Sequence, residues 1–280
     1  MTTPAPQRGV TLVELVMVIT LVGLLASAGA LLLSRTASTQ TTGLVRLRMA
    51  AAADAASTRV ARDVQAALPN SIRVTQTSQV VIVELIPVVD VGRYRSEIAS
   101  DGSGDPLVLE DASDSSFDVL GPAVSVGAVA AELVLRNLGN ELADAYTGNN
   151  RRGGLALANG GNKVNFNANG FFPQASGSNR FFLVNTPVTY ICLPSMQGNS
   201  GSGQLWRVQA YGWHANQPTD LLAAPLSNGS RALVLDGISA CSVAYGASLA
   251  NMAVVNFRLT LQSNGESATL LSQIATENTP

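Results

Sequence analysis

The chain has 280 residues, room for one large domain or two small ones, and its 17 basic and 19 acidic side chains leave a net charge of −2. With no basic excess, and a single lysine (Lys163) among the bases, nothing points to nucleic acid as a partner. Charged residues make up 13% and hydrophobic ones 46%, against roughly 25% charge in an ordinary globular domain, and much of the bias is gathered in residues 10–33.

Residues 1–9 are polar and carry one arginine, Arg8. Val10-Thr11-Leu12-Val13-Glu14-Leu15 follows, and no charge then occurs from Leu15 to Ser34. As a helix this run is about 30 Å long, enough to cross the hydrocarbon core of a bilayer. A secretory signal peptide has a shorter apolar region and a small-residue cleavage site after it. Here the small residue at the polar-to-apolar boundary is Gly9, before the run, so cleavage there keeps the apolar segment in the mature chain. Glu14 is the anomaly of the segment. A carboxylate in an apolar helix is costly and persists where it finds a partner, or where it lies close enough to the helix end to reach the membrane surface.

Arg8-Gly9-Val10-Thr11-Leu12-Val13-Glu14-Leu15 resembles the processing motif of type IV prepilins. The resemblance implies that a membrane aspartic peptidase, the prepilin peptidase, cuts between Gly9 and Val10 and methylates the new amine of Val10. Glu14 falls where the family has the glutamate used in subunit assembly, and Val10 stands where most members have phenylalanine. The implied partners are other pilins through the N-terminal helix, the peptidase, an assembly platform in the inner membrane, and the membrane lipid. In a filament Glu14 can pair with the terminal amine of a neighbour. A low dielectric strengthens that pair and penalises an unpaired carboxylate. Arg8 on one side of the apolar run and Arg35, Arg46 and Arg48 on the other leave charge counting nearly neutral on orientation. The periplasmic placement of the remaining chain follows from the resemblance.

Beyond Ser34 the helical pattern continues, with Leu44, Leu47, Ala51, Ala55, Val60, Val64 and Leu68 recurring at spacings of three to five residues. Leu68-Pro69 supplies the stop, since proline disfavours helix in the residue before it. One helix over 10–68 is roughly 88 Å long, apolar all round in its first half and amphipathic in its second. The Ser/Thr-rich residues 35–43, with Gly43, are the place where it can break. From Ser71 the period changes to that of strands. Ser71–Thr75 and Gln79–Pro87 read as a hairpin around Gln76-Thr77-Ser78. Further strands are expected at Ser116–Leu120, Glu132–Arg136, Arg180–Val184, Val188–Cys192, Leu205–Tyr211, Arg231–Leu235, Ser239–Tyr245 and Ala253–Leu261, separated by Gly/Asn/Ser-rich loops. The expected fold is α+β and pilin-like: a long N-terminal hydrophobic helix packed on an antiparallel β-sheet domain with long loops. The expected divisions are a leader at 1–9, a transmembrane or filament-core helix at 10–34, its amphipathic continuation at 35–68, and one periplasmic or extracellular β-rich domain at 69–280.

Several phrases of that domain resemble the MshO-type minor prepilins of the mannose-sensitive haemagglutinin (MSHA) pilus system. They are Gly92-Arg93-Tyr94-Arg95, Ser116-Phe117-Asp118-Val119-Leu120-Gly121, Asn137-Leu138-Gly139, Ala145-Tyr146-Thr147-Gly148-Asn149-Asn150-Arg151 and Thr186-Pro187-Val188-Thr189-Tyr190-Ile191-Cys192. The function this implies is a minor pilin that takes part in assembly, priming or tip formation. A minor pseudopilin of type II secretion shares the same leader and anchor, and a glycan-binding tip adhesin is the third reading.

Two cysteines, Cys192 and Cys241, lie far beyond the apolar run. In a reducing compartment such a pair reads as two small hydrophobes, and in an oxidising one as a disulfide. The periplasmic placement implied above favours the disulfide. No catalytic residue, cofactor or metal is expected. His214 has no second histidine or nearby cysteine to share a metal, and neither a Gly-x-Ser-x-Gly elbow nor a Walker-type loop is present, so the chain does not read as an enzyme. Asp101, Asp105, Asp111, Asp114 and Asp118 read as a solvated loop whose spacing differs from an EF-hand. Arg151-Arg152 reads as an exposed turn. Trp206, Tyr211 and Trp213 read mainly as core, with stacking on a sugar as the alternative.

Overall fold

The computed structural model describes residues 9, 11–127, 131–249 and 252–277. The chain divides into two compact units, Met1–Arg48 and Met49–Pro280, and helix α1 (Leu12–Gln65) supplies the first and opens the second. It runs through residues 35–43 without a break, and ends at Gln65, three residues ahead of the expected stop at Leu68.

Helix α1 starts where a side chain can satisfy its first free donors. The Thr11 hydroxyl accepts from the Glu14 amide at 3.3 Å, and the Leu15 amide donates to the Thr11 carbonyl at 3.1 Å. Thr11-x-x-Glu14 therefore has the spacing of a capping box. Within the second unit the helix buries Met49, Ala53, Ala56, Ser57, Val60 and Val64. These spacings of one, three and four residues make one stripe. Ala53, Ala56 and Ser57 keep it narrow.

The strands in chain order are β1 (Arg73–Gln76), β2 (Val81–Leu85), β3 (Val88–Tyr94), β4 (Ser116–Leu120), β5 (Glu132–Leu135), β6 (Arg151–Arg152), β7 (Ala156–Ala158) and β8 (Lys163–Asn165). They continue with β9 (Arg180–Val184), β10 (Val188–Leu193), β11 (Met196–Gln197), β12 (Ser200–Gly201), β13 (Gly203–Gln209), β14 (Ser230–Leu249), β15 (Met252–Ser263) and β16 (Glu266–Glu277). Among the described residues they form two seven-stranded antiparallel sheets and a small β11–β12 ladder. The first sheet has the order β1-β2-β10-β13-β14-β15-β16, the second β6-β5-β9-β3-β4-β8-β7. The fold is α+β, an apolar N-terminal helix with a large antiparallel β domain.

The expected hairpin is there as β1–β2, with Gln76 opposite Val81. The stretches Arg231–Leu235 and Ser239–Tyr245 prove to be one strand, β14. Asp236-Gly237, between the two stretches, is absorbed as an irregularity of register, with Gly237 at φ 73°. β3 and β16 lie outside the expected strands altogether.

The second sheet buries an aromatic cluster. The Phe117 ring lies 5.0 Å from Phe181 and 6.1 Å from Tyr94, edge-on to both, and Phe166 and Phe172 extend the group. Edge-on rings add about 0.5–1.5 kcal/mol per pair beyond the area they bury. A loop crosses close to this cluster at Gly161, which has φ 92° and accepts the Val124 amide at 3.0 Å. A Cβ there would overlap the Val124 carbonyl oxygen. Gly161→Ala is therefore expected to cost about 1–3 kcal/mol, the range for a non-glycine residue forced into that region. Thermal unfolding of the variant checks it, and an unchanged midpoint would mean that the loop can move aside.

Candidate functional site

The residues expected at the processing site lie at the start of the first unit. Gly9 is exposed. Val10 lies outside the described residues. Glu14 sits in the first turn of α1 and is exposed, as are its apolar neighbours. Leu12 is 78%, Leu24 68% and Leu25 72% exposed. Leu12–Ala30 has a mean hydropathy of 2.2 and none of it is buried. That length and composition suffice to cross a membrane. An apolar surface of this size on all sides of a helix needs lipid or other protein around it. Glu14 is the one acidic or basic side chain over Leu12–Ala30, placed within a turn of the helix start. At that position a carboxylate also interacts favourably with the helix dipole.

Several charges of the β domain are held in pairs. Asp63, from α1, accepts from Arg207 Nε at 2.7 Å and from the Tyr190 hydroxyl at 2.7 Å, and so fixes the helix to β10 and β13. Burial, then the bond to the Asp63 carboxylate, pushes the Tyr190 hydroxyl well above its usual range. Glu84 is fully buried. Its Oε2 accepts from Arg73 Nη2 at 2.6 Å and its Oε1 from the Tyr211 hydroxyl at 2.7 Å. Desolvation outweighs both partners and raises the Glu84 carboxyl above its ordinary value.

The acidic stretch is mostly spoken for. Asp105 accepts from Lys163 at 2.8 Å and from Ser116 Oγ at 2.6 Å. Partial burial raises its carboxyl, but those two bonds outweigh it and hold the group below the usual range. Asp118 lies 3.6 Å from Arg95. Asp101 and Asp111 each accept from the hydroxyl of a serine two residues on, at 2.6 Å. Among the described residues no group of three or more His, Cys, Asp or Glu is placed to hold a metal.

Arg151-Arg152 is not an exposed turn. Arg152 is buried, donates to the carbonyls of Gly170 and Phe171 and lies 4.1 Å over the Phe172 ring. Arg151 pairs with Glu132 and lies 3.9 Å over the Trp213 ring, whose Nε1 donates to Glu132 at 2.6 Å. Trp213 is therefore occupied inside the domain. Tyr211 is buried, and Trp206 is half-buried. His214 is half-buried, and its ring is stacked 6.1 Å from that of Tyr211. No sequence spacing foretells these partners, which are 81 residues apart in the Trp213–Glu132 bond.

Cys192 and Cys241 are joined by a disulfide, with Cα atoms 6.6 Å apart. The bond does not join neighbouring strands, since β13 lies between β10 and β14 in the sheet. The pairing of β13 with β14 stops at Gly203↔Ile238, and Cys241 lies beyond that point. The bridge therefore fastens the overhanging half of β14 to β10. The Val243 amide, which donates to Gln76 Oε1 at 2.8 Å, makes a second attachment.

No curated protein and no solved structure matches the chain significantly. The family model described as the prokaryotic N-terminal methylation motif matches residues 4–30. Those residues contain Gly9, Val10 and Glu14 and run into the exposed apolar helix. The motif supports a place in the type IV pilin and pseudopilin superfamily, which is structural rather than enzymatic, and with the apolar helix it suits a pilin-like protein held by a single membrane span.

Proposed function

We propose that the chain is a minor type IV pilin of the MSHA type. It enters the inner membrane through residues 10–34, is cut by prepilin peptidase between Gly9 and Val10, and joins a pilus in an assembly, priming or tip role. Residues 1–9 are its leader, 35–68 the continuation of the helix and 69–280 the periplasmic and later extracellular domain. The observation that carries this is the methylation motif at residues 4–30 fused to a helix with no buried residue over Leu12–Ala30. A disulfide adds support for the outward placement, because such bonds persist in oxidising compartments.

Glu14 works here by position. Cleavage leaves a cationic amine at Val10, and the carboxylate one helical turn further on pairs with the amine of a neighbouring subunit. In lipid or in a filament core an unpaired carboxylate is costly, so the pair sets the axial register between subunits. Intact mass of assembled material is expected to show loss of residues 1–9 and gain of one methyl group. Glu14→Ala is expected to insert in the membrane normally and to enter the fibre at about a tenth of the wild-type level or less, the effect of losing one buried charge partner. A retained leader, or full incorporation of Glu14→Ala, would overturn the reading. Copy number in purified surface fibres separates a pilin from a secretion pseudopilin, which would be missing from them.

A further inference from the structure

One cleft of the β domain carries two arginines that, among the described residues, meet no carboxylate of the domain. It has a volume of about 710 Å³ and lies where β3, the end of β4 and the start of β9 meet, with Asp90, Arg93, Leu120, Pro122 and Arg180 among its walls. Arg93 and Arg180 are direct partners across the β3–β9 ladder. Like charges placed directly opposite each other on a sheet destabilise it. Elsewhere in the domain Arg73, Arg95, Arg151, Lys163 and Arg207 each face a carboxylate within ion-pair distance. Among the described residues Arg93 and Arg180 have none. Arg93 spends one donor, its Nε, on the Ser178 carbonyl at 3.1 Å. No side-chain hydrogen bond is made by Arg180 among the described residues. Two guanidinium groups, with five N–H donors each, thus keep most of their donors for something outside the domain.

The single carboxylate of the cleft is already engaged, but not with them. Asp90 Oδ1 accepts the Val91 amide at 2.8 Å and Oδ2 accepts the Ser125 amide at 2.7 Å. Each oxygen keeps a lone pair that can accept once more. Leu120, Pro122 and Val91 add apolar side chains to its walls. The cleft therefore combines guanidinium donors suited to an oxyanion, carboxylate acceptors for hydroxyl groups, and apolar side chains. Its volume is in the range of small-molecule sites, about 300–1,000 Å³.

We propose that this cleft binds an acidic saccharide unit, its carboxylate or sulfate held by Arg93 and Arg180 and its hydroxyls by Asp90. A bare oxyanion would use the arginines but leave the Asp90 acceptors and the apolar side chains without partners. All the residues that line the cleft belong to one chain.

Saturation-transfer NMR on the full chain in non-ionic detergent tests it, with glucuronate, glucose and phosphocholine as separate probes. Glucuronate is expected to bind in a salt-dependent way, and glucose about ten-fold more weakly or worse, the usual consequence of losing charge-assisted hydrogen bonds. Arg93→Gln and Arg180→Gln are each expected to weaken glucuronate binding about ten-fold. Both variants should melt at the wild-type temperature or above it, because each removes a like-charge contact. Equal binding of glucuronate and glucose, or binding unchanged in the two variants, would overturn the proposal. Tighter binding of phosphocholine than of glucuronate would overturn it in favour of a lipid headgroup. A clear loss of stability in both variants would make the pair structural and overturn it as well.

Discussion

Replacing both Cys192 and Cys241 by alanine is expected to lower the stability of the β domain by about 4 kcal/mol, the loop-closure entropy of a cross-link between residues 49 apart in the chain. For a domain of this size each kcal/mol moves the melting temperature by about 2–4 °C, so a fall of roughly 8–16 °C is expected. The loss should be local before it is global. β14 loses its covalent tie to β10 beyond Ile238, and β15 and β16 join the first sheet through β14, so hydrogen exchange should quicken first in residues 239–277. The wild type treated with reductant should behave like the double variant, and its thiols should resist alkylation until then. Equal melting temperatures with and without the bridge would mean that the Gln76–Val243 bond and the sheet ladder suffice to hold the overhang.

The N-terminal site was legible because its chemistry is contiguous. A small residue, a threonine, a glutamate and an unbroken apolar run follow one another within one segment, and it is their resemblance to the prepilin motif that the family model over residues 4–30 supports. Strands rich in aromatic and β-branched residues were also legible, and Ser116–Leu120 and Arg180–Val184 have the expected bounds. β3 was not, because Asp90 and Gly92 interrupt it in the manner of a turn. Gly92 is in the strand for a packing reason: a Cβ there would meet Phe181 at 2.5 Å. β16 was missed for its small polar residues, which an edge strand tolerates on its solvent side. A signal for it was present in Asn264-Gly265, both at positive φ, the pairing that tight hairpins favour. Nothing in the sequence could join Asp63 to Arg207 or Glu84 to Tyr211, separations of 144 and 127 residues. Contacts of that kind are set by the whole topology, and so are the cleft and its two arginines.

Glu84→Ala is expected to cost about 3 kcal/mol, the low end for removing one member of a buried charge pair. The low end applies because Arg73 keeps other partners: the carbonyls of Ala215 and His214, at 2.5 and 3.1 Å, and the Tyr146 ring 3.5 Å away. What is lost is the acceptor for Tyr211, whose hydroxyl is left with Thr189 Oγ1 at 2.6 Å, and the volume of the side chain in a fully buried site. Glu84→Gln separates shape from charge. Burial raises the Glu84 carboxyl in the folded protein above its ordinary value of 4.5. A carboxyl raised on folding gives stability that is fully present below its unfolded value and is lost as pH rises through the folded one. Wherever the carboxyl is ionised its charge is thus a burden that the fold carries, and a neutral amide of the same shape should cost well under 1 kcal/mol. The wild type should therefore lose stability as pH rises from about 4.5 through the raised value, while Glu84→Gln lacks that component. Melting temperatures of the three proteins between pH 4 and 8 provide the check. Equal losses in Glu84→Ala and Glu84→Gln at pH 7 would show instead that the charge on Glu84, and not its shape, holds Arg73 and Tyr211 in place.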